Sequence, residues 1–162
     1  MDPVVASFAQ LVGVNDYLLG KALDGLSAAE LRAHPGEANP MGWIVGHIAG
    51  TRNLLAQALG GGIDLPWAAR FAQRSQPQDD ASGDPDAPQL LAALRATSAD
   101  LMARFAQLGD DDLAKSAPRE FPVRDKTVRG MIAFLVYHEA YHVGQVAYVK
   151  KWLGYPGVVD EQ

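Results

Sequence analysis

TVRGMIAFLVYHEAYHVGQVAYVKKWLG, residues 127–154, reads as one long helix. Thr127 caps it, an apolar period carries it to Leu153, and Gly154 terminates it. Met131, Leu135, His138, His142, Val146 and Val149 fall on one face, because side chains four apart stand one turn above each other, displaced by about 6 Å along the axis and about 40° around it. Both imidazoles are therefore expected to point into a bundle of helices.

The rest of the chain supplies partners for that face. Val4, Phe8, Leu11, Asn15, Leu18 and Ala22 give a helical stripe over residues 4–23, closed by Gly25. Ser27 and Glu30 make a capping box, so a short turn follows up to Pro35. Asn39 and Pro40 restart the chain as N-cap and first residue of a second long helix, which runs to about Leu59 and stops at Gly60–Gly62. LPWAARFAQR supports two helical turns, whereas QPQDDASGDPDAP is rich in Pro, Asp and Gly and reads as a mobile loop. A third helix carries Leu90, Leu91, Leu94, Ser98, Leu101, Phe105 and Leu108 and ends at Gly109. Asp110 then caps a short turn, and a linker with Pro118 and Pro122 leads back to Thr127. No segment shows the period-two alternation of a sheet, so the expectation is an all-α, four-helix bundle in a single domain over 1–162, with short extra turns in the connections.

A weak internal repeat supports this architecture. LSAAEL (26–31) matches LGDDDL (108–113), and WIVGHIAGT (43–51) matches FLVYHEAYH (134–142), which sets His47 opposite His138 and Thr51 opposite His142.

At 162 residues the chain can bury roughly two-thirds of its unfolded surface. With no cysteine, a disulfide framework and thiolate metal sites are excluded, so a bound metal would rest on imidazole or oxygen. Nineteen acidic against 14 basic side chains give a net charge of −5, and the scattered cations argue against nucleic acid as partner. No apolar run of about eighteen residues and no basic start before an apolar core is present, so neither a membrane span nor a signal peptide is expected. The expected location is the cytoplasm.

His47 lies on the stripe of Ile44, Thr51, Leu54 and Ala58, so three of the four histidines occupy core-facing positions. Three imidazoles buried without partners would cost on the order of 1–3 kcal/mol for each unsatisfied polar group. A shared cation would offset that cost, as would mutual hydrogen bonds or buried water. His34, in a loop before Pro35, reads as solvated. Gly46 and Gly50 each cost roughly 1 kcal/mol inside a helix relative to alanine. They serve either a close helix approach that lets His47 reach the other histidines, or ordinary packing. Trp43 and Phe134 read as core or pocket wall, and Tyr137, Tyr141 and Tyr148 as packing or a subunit contact.

His138, Glu139 and His142 also spell HExxH, the zinc-protease pattern in which the glutamate is general base and a third ligand comes from farther along. Only twenty residues follow His142, and the nearest acidic ones, Asp160 and Glu161, lie beyond Gly154 and Pro156. No strand signal precedes the helix. Glu139 stands about 100° from His138 and about 60° from His142 around the axis, beside the ligand stripe. It reads first as a solvent-facing or supporting residue and second as a catalytic base.

GWIVGHIAG together with HEAYHVGQVAYVKKWLG resembles the DinB/YfiT-like bundle proteins over nearly the whole chain. The resemblance implies an up-down-down-up bundle holding one divalent metal, commonly zinc, nickel, iron or manganese, on His47, His138 and His142. It also implies a homodimer. Characterised relatives include transferases and isomerases that use a low-molecular-weight thiol such as mycothiol or bacillithiol, and others are assigned as metal-dependent hydrolases. The leading expectation is thus a metal-dependent enzyme with a small-molecule substrate, with Asn15 and Thr51 as supporting or substrate contacts. A non-enzymatic bundle with a structural metal or a binding role comes next, and an HExxH zinc protease third.

Overall fold

Asp2 starts the first helix slightly ahead of the apolar stripe, because its Oδ1 accepts from the N–H groups of Val4 and Val5 at 2.8 and 3.2 Å. The computed structural model describes residues 1–78 and 80–159. Its elements are α1 (Pro3–Leu23), α2 (Ala28–Arg32), α3 (Met41–Ala58), a 3₁₀ turn (Ala68–Phe71), α4 (Ala87–Phe105), α5 (Asp110–Ala114) and α6 (Val128–Trp152). Among the described residues there is no strand, only an isolated bridge between Ser116 and Thr127. The four-helix bundle expected from the helical periods is present.

The capping box before α2 forms: Glu30 Oε2 accepts from the Ser27 N–H at 2.8 Å, and Ser27 Oγ accepts from the Glu30 N–H at 3.3 Å. Other boundaries differ from the sequence reading. Pro40, not Asn39, is the N-cap of α3, and no side chain caps it. Gly109, not Asp110, is the N-cap of α5, and its N–H donates to Asp112 Oδ2 at 3.2 Å. Thr127 occupies the N-cap position of α6, but its hydroxyl donates to Asp125 Oδ1 at 2.7 Å instead of capping the helix. α4 ends at Phe105, and Leu108 packs against the core from beyond the helix end. The segment after the 3₁₀ turn is irregular yet tied down: Arg70 pairs with Asp84 at 2.8 Å and donates to the Asp80 carbonyl at 2.6 Å.

Contacts between the long helices fix their directions. Asn15 meets Glu139, and Lys150 reaches the carbonyls of Lys21 and Asp24, so α1 and α6 run parallel. Arg52 meets Glu139 while His47 meets His142, so α3 and α6 are antiparallel. Arg52 reaches the Leu94 carbonyl and the Gly62 N–H donates to Asp100, so α3 and α4 are parallel. The topology is up-down-down-up.

The core is split into two apolar clusters. One gathers Leu19, Leu23, Ile44, Ile48, Leu90 and Val146, and the other Val5, Val12, Leu55, Leu101, Phe105 and Ile132. Between them lies a polar belt. Arg52 donates through Nε and Nη2 to the two oxygens of Glu139 at 3.0 and 2.6 Å, and through Nη1 to Asp16 at 2.6 Å. Asn15 Nδ2 donates to Glu139 Oε1 at 3.0 Å, and Ser98 Oγ to Asp16 Oδ2 at 2.6 Å. All four long helices contribute to this layer. Burial works against the Arg52 charge, but Glu139 and Asp16 outweigh it and raise the guanidinium pKa above its ordinary value.

Candidate metal centre

α3 and α6 cross antiparallel beside the belt, and this crossing brings His47 against His138 and His142. Ring centroids are 5.3 Å apart for His47 and His138, 4.9 Å for His47 and His142, and 4.4 Å for His138 and His142. One ligand atom from each ring lies within 4.8 Å of the others, so the three form a group that could hold a metal ion. His47 is buried; His138 and His142 are half-buried.

Hydrogen bonds at the outer nitrogens select the tautomers. His47 Nδ1 lies 2.7 Å from the Phe71 carbonyl, and His142 Nδ1 lies 2.6 Å from Gln145 Oε1. Both acceptors require N–H at Nδ1, which leaves the Nε2 lone pair free on each ring. His138 Nε2 and His142 Nε2 face each other at 3.2 Å. The His138 ring has no partner that fixes its tautomer: with N–H at Nε2 it donates to the His142 lone pair, and with N–H at Nδ1 its own lone pair joins those of His47 and His142, a donor set that fits a metal. Burial, together with the neighbouring charges of His142 and His47, lowers the His138 pKa to about 4. Burial also lowers His47 and His142, against the opposing effects of the Phe71 carbonyl and of Gln145. All three rings are thus neutral, as ligands must be, at pH 7.

Gly46 explains how Phe71 comes to orient His47. A Cβ at residue 46 would meet the Phe71 ring at 2.7 Å, so the glycine makes room for a loop residue, not for a neighbouring helix. Gly50 shows ordinary packing, with its nearest neighbour Ala68 at 3.9 Å. Trp43 stacks on His47 with centroids 5.1 Å apart and planes within 8°.

The stripe assigned to His47 turns out only partly buried. Leu54 and Ala58 are exposed and Thr51 is half-buried, because α3 buries the adjacent arc through Ile48, Arg52 and Leu55. Thr51, His47 and His138 instead border a cleft of about 670 Å³. Thr51 is near the centre but outside the three-histidine group. Asn15 touches Glu139, not the histidines. Glu139 is buried, with both oxygens taken by Arg52 and Asn15, which corrects the solvent-facing reading. Asp160 and Glu161 lie outside the described residues. His34 is exposed and bonds the Gly36 carbonyl at 2.8 Å.

Sequence reasoning missed Arg52, the Phe71 carbonyl and Gln145. Arg52 follows Thr51 directly but projects to the belt, and only its being a charge within an apolar helix hinted at a partner. Gln145 stands three residues after His142, the helical spacing that lets side chains meet. A backbone carbonyl leaves no signal in sequence.

The fold and site define a class: an up-down-down-up helical bundle with three convergent histidines on its second and fourth long helices. Residues 16–146 match the DinB superfamily, and the chain belongs to that family. Among solved structures it is similar to a conserved protein from Enterococcus faecalis, at 17% identity and a TM-score of 0.74 over 96% of this chain and 100% of that one. It is also similar to a DinB-like protein, YjoA, from Bacillus subtilis, at 19% identity and a TM-score of 0.62 over 96% of this chain and 94% of that one. These likenesses concern the fold. No curated protein matches the chain.

Proposed function

We propose that this protein is a metal-dependent enzyme acting on a small molecule, with one divalent cation, zinc or nickel ahead of iron or manganese, held by His47, His138 and His142. The observation that carries the reading is the convergence of one ligand atom from each of the three imidazoles within 4.8 Å, with the Nε2 lone pairs of His47 and His142 left free by the Phe71 carbonyl and Gln145. A divalent cation on three neutral imidazoles keeps its full charge, so when bound it supplies Lewis-acid activation of an oxygen or sulfur ligand. Hydrolysis and transfer of a low-molecular-weight thiol are the two reaction classes that such activation serves.

The chain's own residues hold and shape the site. Phe71 and Gln145 aim the imidazoles, and the Arg52–Glu139 pair locks α3 to α6 beside the ligands. His47 and His138 open to the cleft, where Thr51 offers a hydroxyl to a bound molecule. No fourth histidine, cysteine or carboxylate joins the group among the described residues, which favours an open coordination position over a closed structural site. With both Glu139 oxygens bonded, the protease reading loses its general base. In this proposal the protein works in the cytoplasm as a homodimer, without nucleic acid or membrane as partner. The net charge of −5 agrees with that, and no described helix is long and apolar enough to cross a membrane.

Elemental analysis of protein purified without an affinity tag tests the site. Near-stoichiometric metal in the wild type, lost in both His47→Ala and His138→Ala, is the expected result. Metal retained in either variant at wild-type level overturns the ligand set. Parallel esterase, amidase and thiol-transfer screens of the metal-loaded protein then distinguish the two reaction classes.

A further inference from the structure

The cleft beside the histidines has a directional lining. The Arg119 guanidinium stands over the Phe121 ring, 5.0 Å from its centroid. Phe121 packs against Phe134 at 5.6 Å, and Phe134 against His138 at 6.0 Å, with planes inclined by 45° and 34°. A row of flat groups thus leads from a cation at the exposed rim to an imidazole of the candidate metal centre, and all four side chains border the cleft. At about 670 Å³ the space falls within the roughly 300–1,000 Å³ of small-molecule sites.

Arg119 is the single cationic side chain on that lining, and among the described residues no carboxylate pairs with it. Glu120, the single acidic one, is exposed and does not bond it. The cation–π contact with Phe121 keeps the exposed guanidinium at the rim of the cleft and leaves its N–H donors to solvent, where the fork can receive a carboxylate. Behind it, half-buried Phe134 and the small exposed part of Phe121 line the cleft with apolar surface for whatever body the anion carries.

We infer that the cleft takes a small molecule with an aromatic body and a terminal anionic group, the anion anchored by Arg119 and the body lying along Phe121 and Phe134. The far end then reaches His138 and His47. This substrate class rests on the proposed function for what happens at that end, whereas the anchoring by Arg119 does not require a metal.

Calorimetric titration of the full-length protein with 4-phenylbutanoate, its uncharged amide and butanoate tests the inference, with metal content measured on each sample. Wild type should bind the aromatic carboxylate about tenfold more tightly than the amide, as a charge-assisted hydrogen bond of ordinary strength provides. Butanoate, which lacks the ring, should bind about tenfold more weakly than 4-phenylbutanoate. Arg119→Gln should abolish the preference for carboxylate over amide without changing metal content or thermal stability, and Arg119→Lys should retain part of it. Equal affinity for carboxylate and amide in the wild type overturns the inference, and so does a preference that survives Arg119→Gln. A protein that holds no metal but shows an Arg119-dependent carboxylate preference supports the inference and overturns the enzyme reading alone.

Discussion

At the scale of single residues, His138 and Glu139 are neighbours in sequence with opposite fates. One helical step turns the imidazole toward the three-histidine group and the carboxylate toward the buried guanidinium of Arg52. Glu139→Gln should leave that cation short of a counter-charge and cost about 3 kcal/mol, the lower part of the range for breaking a buried pair because Asp16 still contacts Arg52. Denaturant unfolding measures the loss, and metal content should stay at wild-type level because Glu139 is not a ligand. His138 adds a pH dependence of its own. Its folded pKa of about 4 lies below the unfolded value of about 6.5, so the unfolded state takes up the proton first. Stability of metal-free protein should therefore fall as the pH drops from about 6.5 toward about 4, with no further loss from this group below that. Melting temperatures recorded between pH 7 and 5, above the range of most carboxylates, should drop less in His138→Gln than in the wild type.

At the scale of elements, the 3₁₀ turn Ala68–Phe71 sets the orientation of His47 by laying Phe71 across Gly46. Gly46→Ala puts a methyl group into the Phe71 ring, which must move and take its carbonyl away from Nδ1. Overpacking of this kind should cost about 1–3 kcal/mol by chemical denaturation. It should also weaken metal retention in competition with a chelator, whereas Gly50→Ala, with open packing at 3.9 Å, should do neither. The long helices were legible because each repeats an apolar period and has a glycine within four residues of its end, and the histidine pair was legible because four-residue spacing alone puts two rings on one face. Which arc of α3 is buried was not legible. Ile44, Thr51, Leu54 and Ala58 form as good a stripe as Ile48, Arg52 and Leu55, and the choice between them depends on the partner of Arg52, which lies on a helix 87 residues away. The capping glycine of α5 and the turn that orients His47 depend on local backbone hydrogen bonds that side-chain periodicity does not report.

At the scale of the whole molecule, the apolar surface is spread unevenly. Val4 and Leu11 belong to the stripe that sequence periodicity assigns to the core of α1, yet they are 41% and 50% exposed, because Val5, Val12 and Leu19 take the buried arc. Val14 adds 54% exposure beside them. The parallel neighbour α6 exposes Ala140 and Gly144 together with Tyr137, Tyr141 and Tyr148, the last three at 69%, 55% and 64% exposure. Isolated apolar side chains are ordinary on a surface, but three along one helix next to small residues on its neighbour suit a self-complementary contact. If the proposed homodimer uses this surface, Leu11→Glu with Val14→Glu should convert it to monomer, since like charges would face each other across the two-fold axis. Sedimentation velocity at several protein concentrations reads the change, and the helical circular dichroism should persist because neither side chain supports the core. A wild type that sediments as a monomer overturns the homodimer, and a double variant that remains dimeric moves the interface to another face. The three-histidine group lies between α3 and α6, apart from the contacts of α1, so the monomeric variant should have the same metal content as the wild type.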